Sequence, residues 1–509
     1  MILTTPLMCL VLATSAGAAE APLFHVRFNE PGVLESWSGS GGDVAVEEGV
    51  LRVRQASADG SALRLLPLPA SLIDGKLVTL EARVKAEGVS DRPQPWNGVK
   101  VMLVLQYPQG KQHPQLPLEV GTYDWTRVAR TIRVPKGVAG VSLVLGLERV
   151  SGTAWFDDVT LTAGRPAWAG STYRGEMDRG HSLSRLRGAM HGPRFREEDF
   201  RVLASTWGAN HMRWQLNWVP MKAAEEWAQD LRRYDEWLEG ALAECDRAVD
   251  LAEKLGVLLL VDLHCPPGGR AGGGVCRMFQ QQRYQQKLLE VWDRIARRYK
   301  GRKAVWAYDL INEPVEGRVA PGLMNWRELA TKAAQTIRAV DPGKPVVVEP
   351  GPWGGPGGFD DFLPLPLDRV IYSFHMYLPH SFTHQGVHGL PVGQVYPGVI
   401  DGVYWDKERL REALQPARDF QLAFNVPMYI GEFSAVRWAP DNSAYRYLKD
   451  VIDLFEEYGW DWAYHSFREF DGWSAEHDSD PNHRQRSSTP TDREQLLRRW
   501  FARNERPQW

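Results

Sequence analysis

Two glutamates stand where this sequence could break a covalent bond: Glu313 in Asn312-Glu313-Pro314 and Glu432 in Gly431-Glu432-Phe433. Each closes a short apolar run, so each carboxyl is expected at the end of a strand. A lone strand-end glutamate most simply forms an ion pair or caps a helix. Two that face each other across a barrel mouth offer more. Carboxyl groups about 5–5.5 Å apart on opposite sides of an anomeric carbon hydrolyse a glycosidic bond with retention of configuration. One of them must hold a proton near neutrality, where a free carboxyl of pKa ~4.3 is mostly ionised. Burial and a like-charged partner raise that value.

The elements that must position this pair follow from periodicity. Apolar runs at 187–190, 209–217, 256–264, 304–312, 345–349, 370–377, 427–433 and 460–467 have the length of strands. Helical patterns at 234–255, 284–299, 326–340, 407–424 and 444–458 lie between them. That alternation predicts an α/β fold, a (β/α)8 TIM barrel, with reactive groups at the C-terminal ends of its strands. Glu313 then ends the fourth strand and Glu432 the seventh. Ahead of the barrel the period is two: Val78, Leu80, Ala82 and Val84 alternate with polar residues, as do Val99 to Leu105 and Val141 to Leu147. This predicts an all-β jelly-roll sandwich. The expected division is a signal peptide at 1–19, the sandwich at 20–165 and the barrel at 166–509, with a linker near 164–180.

Leu7 to Ala13 is apolar and small residues follow to Ala19, the pattern of a cleavable export signal too short to span a membrane. A secreted or periplasmic protein is expected. A net charge of −3 gives no case for nucleic acid or an anionic membrane as partner. The 21 tryptophans suit both a core and a sugar cleft. Three cysteines remain after the signal: Cys245 as a small buried apolar group, and Cys265 and Cys276 bracketing a Gly-rich loop that one disulfide would staple. A monomer without cofactor is expected.

The run Gly152 to Leu161 (GTAWFDDVTL) resembles the last strand of jelly-roll carbohydrate-binding modules. Trp37, Trp96, Tyr107, Tyr123 and Trp125 are candidates for a glycan face, with core as the plainer alternative. Asp157 and Asp158 offer oxygens to a structural calcium, though one acidic pair falls short of the six to eight ligands calcium takes.

From residue 187 onward, roughly two-thirds of the chain resembles the cellulase family of glycoside hydrolases, family five. HMRWQLNW, LLLVDLHCPPGG, YDLINEP, YSFHMY and PMYIGEF occur in the family's order. The resemblance implies Glu313 as acid/base and Glu432 as nucleophile. It implies Arg213 and Tyr377 as supports of the nucleophile, Asn312 on the sugar 2-hydroxyl, and His264 and His375 lining the −1 subsite. One position departs. The family's strand-eight Trp falls on His465 in WDWAYHSF, so either His465 replaces that platform or Trp473 in DGWS reaches back to supply it. Trp214, Trp218, Trp353, Trp405 and Trp438 are further cleft candidates. His380, His384 and His388 have a metal-like spacing only on a continuous helix, which Pro379, Gly386 and Gly389 oppose, so a substrate-contacting loop and no metal are expected. The stretch 476–492 is expected to be a solvated loop beside the cleft.

These features imply a retaining β-glycosidase acting on β-linked glucan in the manner of an endo-β-1,4-glucanase. The alternatives are the same mechanism on mannan, xyloglucan or short β-glucosides, and a catalytically silent glycan-binding protein.

Overall fold

The protein is seen in a computed structural model over residues 21–94, 96–108, 110–164, 179–218 and 227–508. The expected signal and most of the expected linker lie outside the described residues.

Eight parallel strands close into a barrel: Arg187–His191, His211–Gln215, Leu258–Asp262, Val305–Asp309, Val346–Val348, Val370–Met376, Met428–Phe433 and Asp461–Phe467. Every residue in them is buried, which is why they are continuous rather than alternating apolar runs. The first strand pairs with the eighth through Arg187 and Trp462, closing the ring. Helices Leu231–Leu255, Gln282–Tyr299, Trp326–Val340, Lys407–Phe424 and Ser443–Tyr458 follow individual strands. The first of these shows why the chain folds locally. Asp230 accepts hydrogen bonds from the backbone N–H groups of Arg232 and Arg233, and Gly256 ends the helix at a φ of 63°. Between them Tyr234, Leu238, Leu242, Cys245, Val249 and Ala252 form one buried stripe.

Ahead of the barrel lie two antiparallel sheets. One runs Asp43–Glu47, Val50–Gln55, Gly152–Ala163, Leu77–Val89, Gly121–Arg133, with Phe24–Val26 also paired to Gly152–Ala163. The other runs Ser38–Ser40, Ser61–Leu68, Gly140–Glu148, Gly98–Tyr107, Gly110–Gln112. Val78, Leu80, Ala82, Val84, Leu103 and Leu145 are fully buried in the core, as the period-two pattern requires.

Several expectations are corrected. Trp37, Tyr107 and Tyr123 are buried in the sandwich rather than facing solvent. Of the glycan-face candidates Trp96 is 60% exposed, and Trp125 lies under the Arg83 guanidinium at 5.1 Å. Asp158 is surrounded by His25, Arg27, Arg83 and Arg127, with Arg27 at 2.7 Å. Guanidinium groups stand where a calcium would need more oxygens. Trp214, Trp218 and Trp405 are buried in the barrel core, not in the cleft. Cys265 and Cys276 are not joined by a disulfide, and Cys265 Sγ donates to Asn217 Oδ1. The loop after Glu476 is solvated as expected, with nearly every residue of 481–490 exposed, and Arg437 ties it to the barrel by donating to the carbonyls of Asp478 and His483 at 2.8 and 2.9 Å. A helix at Asp492–Phe501, capped by Thr491, follows it and had no sequence expectation.

Candidate active site

The site is built around one buried cation. Arg213, on the second barrel strand, is fully buried and meets four carboxylates from four other strands. Its Nη1 lies 2.7 Å from Glu432 Oε1; its Nη2 lies 2.9 Å from Asp309, 3.2 Å from Asp262 and 3.2 Å from Glu349. Nη2 also donates to Asn312 Oδ1 at 3.0 Å. Burial opposes the guanidinium charge, but the surrounding carboxylates more than restore it. Four carboxylates cannot all remain charged around one cation. Burial pushes Asp309 well above the carboxylate range despite Arg213, helped by Glu349 and Asp262.

Glu432 is held from three sides. Beyond Arg213, its Oε2 accepts from the Tyr377 hydroxyl at 3.0 Å and lies 3.0 Å from His465 Nδ1. Burial alone would raise its pKa, yet His375, His465 and Arg213 hold it well below the usual carboxylate range. It is an anion at neutral pH. Tyr377 is pushed well above its ordinary value by burial and by the Glu432 and Glu313 charges, so its hydroxyl stays a donor.

Glu313 lies just beyond the fourth strand at a φ of 47°, a left-handed conformation costly for a residue with a side chain. Three contacts impose it. Its N–H donates to Glu349 Oε2 at 2.8 Å, its Oε1 lies 2.8 Å from His375 Nδ1, and Arg270 donates to its carbonyl at 3.0 Å. Arg270 also donates to the Asn312 carbonyl at 2.8 Å. Here the Gly-rich loop fastens the segment that carries Asn312 and Glu313. One oxygen each of Glu313 and Glu432 and one nitrogen of His375 all fall within 4.8 Å of one another. Such spacing would also suit a metal, but His375 faces a carboxylate with each nitrogen, Glu313 at 2.8 Å and Glu349 at 3.0 Å. Burial works against its charge, and the Glu349 and Glu432 carboxylates raise its pKa well above the ordinary value. An imidazolium has no lone pair for a metal.

His264 and Asn312 form the floor next to this pair. His264 Nδ1 lies 2.8 Å from Asp262 Oδ2, which makes Nδ1 the protonated nitrogen and leaves Nε2 to accept from Asn312 Nδ2 at 3.3 Å. Trp473 does reach back: its ring stacks on Tyr377 at 5.6 Å and 29°, and its centroid is 5.0 Å from His465. Its indole N–H donates to the Thr383 carbonyl at 3.2 Å. His465, offered by the sequence as a replacement for that platform, points its Nδ1 at Glu432. Trp353 is 46% exposed on the loop after strand five, with Arg270 over its ring at 5.3 Å. A Cβ on Gly274 would come 2.2 Å from that ring, so only glycine fits beneath it. Trp438 is half-buried, and its indole N–H donates to the Gln385 carbonyl at 2.8 Å, bracing the loop after strand six. His380 and His384 stack on each other at 4.0 Å, and burial holds His384 neutral with a pKa of about 3.

Sequence reasoning missed Glu349, Asp262, Asp309, Gln215, Arg270 and Glu469. The signal was available for three of them, because Asp262, Asp309 and Glu349 each interrupt an otherwise apolar strand end at VDLH, YDLI and VVVEP. Glu469 carried no such mark.

Residues 176–471, more than half of the chain, match the Cellulase (glycosyl hydrolase family 5) family. Endoglucanase C of Acetivibrio thermocellus is 25% identical over 301 residues, spanning 54% of this chain and 84% of that protein. Cellodextrinase A of Ruminococcus flavefaciens is 24% identical over 274 residues, spanning 52% of this chain and 76% of that protein. Among solved structures, cellobiose-bound Cel5A of Thermotoga maritima aligns at 23% identity with a TM-score of 0.45, over 62% of this chain and 96% of that one. The matched stretch holds the strand ends that carry Arg213, Glu313 and Glu432, and the chain belongs to the cellulase family, glycosyl hydrolase family 5.

Proposed function

We propose that the protein is a retaining β-glucanase in which Glu432 is the nucleophile and Glu313 the acid/base. The observation that carries this reading is the opposed pair itself: one carboxylate held anionic by Arg213, Tyr377 and His465, the other on His375, with reacting oxygens within 4.8 Å. That separation suits a double displacement and leaves no room for a water between the groups. Glu432 attacks the anomeric carbon while Glu313 gives its proton to the departing oxygen. Glu313 then takes a proton from the incoming water as the glycosyl ester is cleaved. Asn312, held by Arg213 and His264, is placed to meet the 2-hydroxyl. Trp473, stacked on Tyr377, offers an aromatic face to the sugar at the cleavage point, and Trp353 offers one on the leaving-group side.

A β-linked glucan is the substrate class that the endoglucanase and cellodextrinase relatives support. Export through residues 1–19 suits a polymer that cannot enter the cell, and among the described residues no helix is long and apolar enough to cross a membrane. The proposed division remains a sandwich at 20–165 and a barrel at 166–509, with Trp96 and Trp125 the surface aromatics left for glycan contact. Proton NMR of the first-formed product from a soluble β-glucan tests the mechanism. A β-anomer is expected first; an α-anomer first overturns it.

A further inference from the structure

His465 lies between two carboxylates. Its Nδ1 is 3.0 Å from Glu432 Oε2 and within hydrogen-bond reach of the Tyr377 hydroxyl. On the other side its Nε2 is 3.4 Å from Glu469 Oε2. Glu469 is itself held: Gln215 Nε2, at the end of the second strand, donates to the same Oε2 at 2.7 Å. Its side chain keeps 24% exposure. A neutral imidazole has one N–H and one lone pair. With a carboxylate at each nitrogen, either tautomer would aim a lone pair at an anion. Only the doubly protonated ring satisfies both sides.

We propose that Glu469, clamped by Gln215, is a positioning residue that holds His465 doubly protonated, so that this ring donates to the nucleophile Glu432 throughout the reaction. The inference rests on Glu432 being the nucleophile. Its consequence falls on the second half-reaction. Water attacks the anomeric carbon, the carbon–oxygen bond to Glu432 breaks with its electron pair returning to the carboxylate, and the water's proton passes to Glu313. A cation on Oε2 stabilises the carboxylate as it leaves. The neighbouring groups are consistent with this. Tyr377 faces His465 from strand six, and Glu432 from strand seven, with Arg213 and His375 beyond it. Trp473 covers the ring, and His384, the nearest other imidazole, is neutral. His264, after strand three, is the other imidazole near Glu469. Burial disfavours the charge on His465, but Glu432 and Glu469 overcome it and set its pKa at about 9. Because the active form is the protonated one, activity is retained below that value and lost as pH rises through it.

The test separates this limb from the acid/base. With a 2,4-dinitrophenyl β-glycoside, departure needs no proton from Glu313 and cleavage of the ester limits turnover, so the alkaline fall of kcat reports the surroundings of Glu432 in the second half-reaction. Glu469→Gln removes the charge and keeps the shape. It should lower the alkaline midpoint by about one pH unit or more and lower kcat about tenfold where cleavage of the ester limits turnover. Gln215→Ala, which frees Glu469 without discharging it, should move the midpoint in the same direction by less. An unmoved midpoint in both variants overturns the inference while leaving the nucleophile assignment intact. The proton count is also readable without turnover. In ¹⁵N spectra of histidine-labelled wild-type protein His465 should carry two protons at neutral pH, and in Glu469→Gln it should lose the second at a pH about one unit or more lower than in wild type. A singly protonated ring in wild type overturns the inference whether or not the protein cleaves the substrates offered.

Discussion

Glu313 and Glu432 fail in different ways if their roles are as proposed. Glu432→Gly should reduce turnover by on the order of 10⁴-fold or more, and azide entering the vacated space should restore cleavage of an aryl glycoside with inverted configuration. Glu313→Ala should still release a good leaving group and accumulate the glycosyl-enzyme, from which azide yields a product of unchanged configuration. Mass spectrometry and NMR of the azide products distinguish the two; exchanged configurations would exchange the roles. Glu349 makes a third case. It touches Arg213, His375 and the Glu313 N–H at once, so Glu349→Gln should lower kcat about 10- to 100-fold through misplaced partners, with KM little changed. A KM effect alone would make it a substrate contact. The two carboxyls proposed to react were legible in the sequence because each ended a strand in a family motif. Glu349 was marked only as a carboxylate closing an apolar run, and Glu469 not at all, since what each does lies in contacts made across the barrel by residues far apart in the chain. His465 shows the same limit. Its type was readable, but its direction toward Glu432 rather than a sugar is set by the backbone at the end of strand eight.

The strands themselves were legible to within three residues at either end, because full burial on both faces makes each a mostly apolar run. Elements outside the alternation were harder. The helix Asp492–Phe501 sits in a polar stretch whose buried Leu496, Leu497 and Phe501 make too short a stripe to stand out. The loops that shape the cleft were hardest, for each is held by single polar contacts rather than by a repeat. Two tryptophans on such loops give distinct expectations. Trp473 is half-buried against Tyr377, His384, His465 and Phe470. Trp473→Ala should lower kcat/KM on the order of 10–100-fold for all substrates, by removing one aromatic face and loosening Tyr377. Trp353 is exposed, and its N–H donates to the Pro314 carbonyl, next to Glu313, at 3.3 Å. Trp353→Ala should weaken longer oligosaccharides that reach past the cleavage point and spare aryl glycosides that do not. Equal losses on both substrate types would place Trp353 with the machinery rather than with the leaving group.

How the sandwich meets the barrel decides whether the two behave as one body. The contact is built from few groups. Thr131 Oγ1 donates to Asp361 at 2.6 Å, Arg133 pairs with the buried Asp360 at 2.7 Å, and the Arg318 N–H donates to Glu119 at 3.1 Å. Where the sandwich strand Gly110–Gln112 crosses the barrel hairpin Gly398–Ile400 and Val403–Trp405, two glycines touch. A Cβ on Gly110 would come 2.7 Å from Gly402 Cα, and neither backbone has a flexible end that can yield. The sandwich has its own two-sheet core, so residues 20–165 alone should melt cooperatively; a chain that stays unfolded would show that the barrel supplies part of that core. In the full protein Gly110→Val should wedge the pair apart without touching either core. Calorimetry should then resolve two transitions where a single one is expected of the wild type, while kcat/KM on a small aryl glycoside stays unchanged, because among the described residues none of the sandwich contacts Glu313 or Glu432. Arg133→Ala should act the same way more weakly. It strands Asp360, which burial already pushes above the carboxylate range against Arg133's pull, at a cost of about 1–3 kcal/mol, limited by the solvent around the arginine. A single, unshifted transition in Gly110→Val would mean that the two units are not held by this contact.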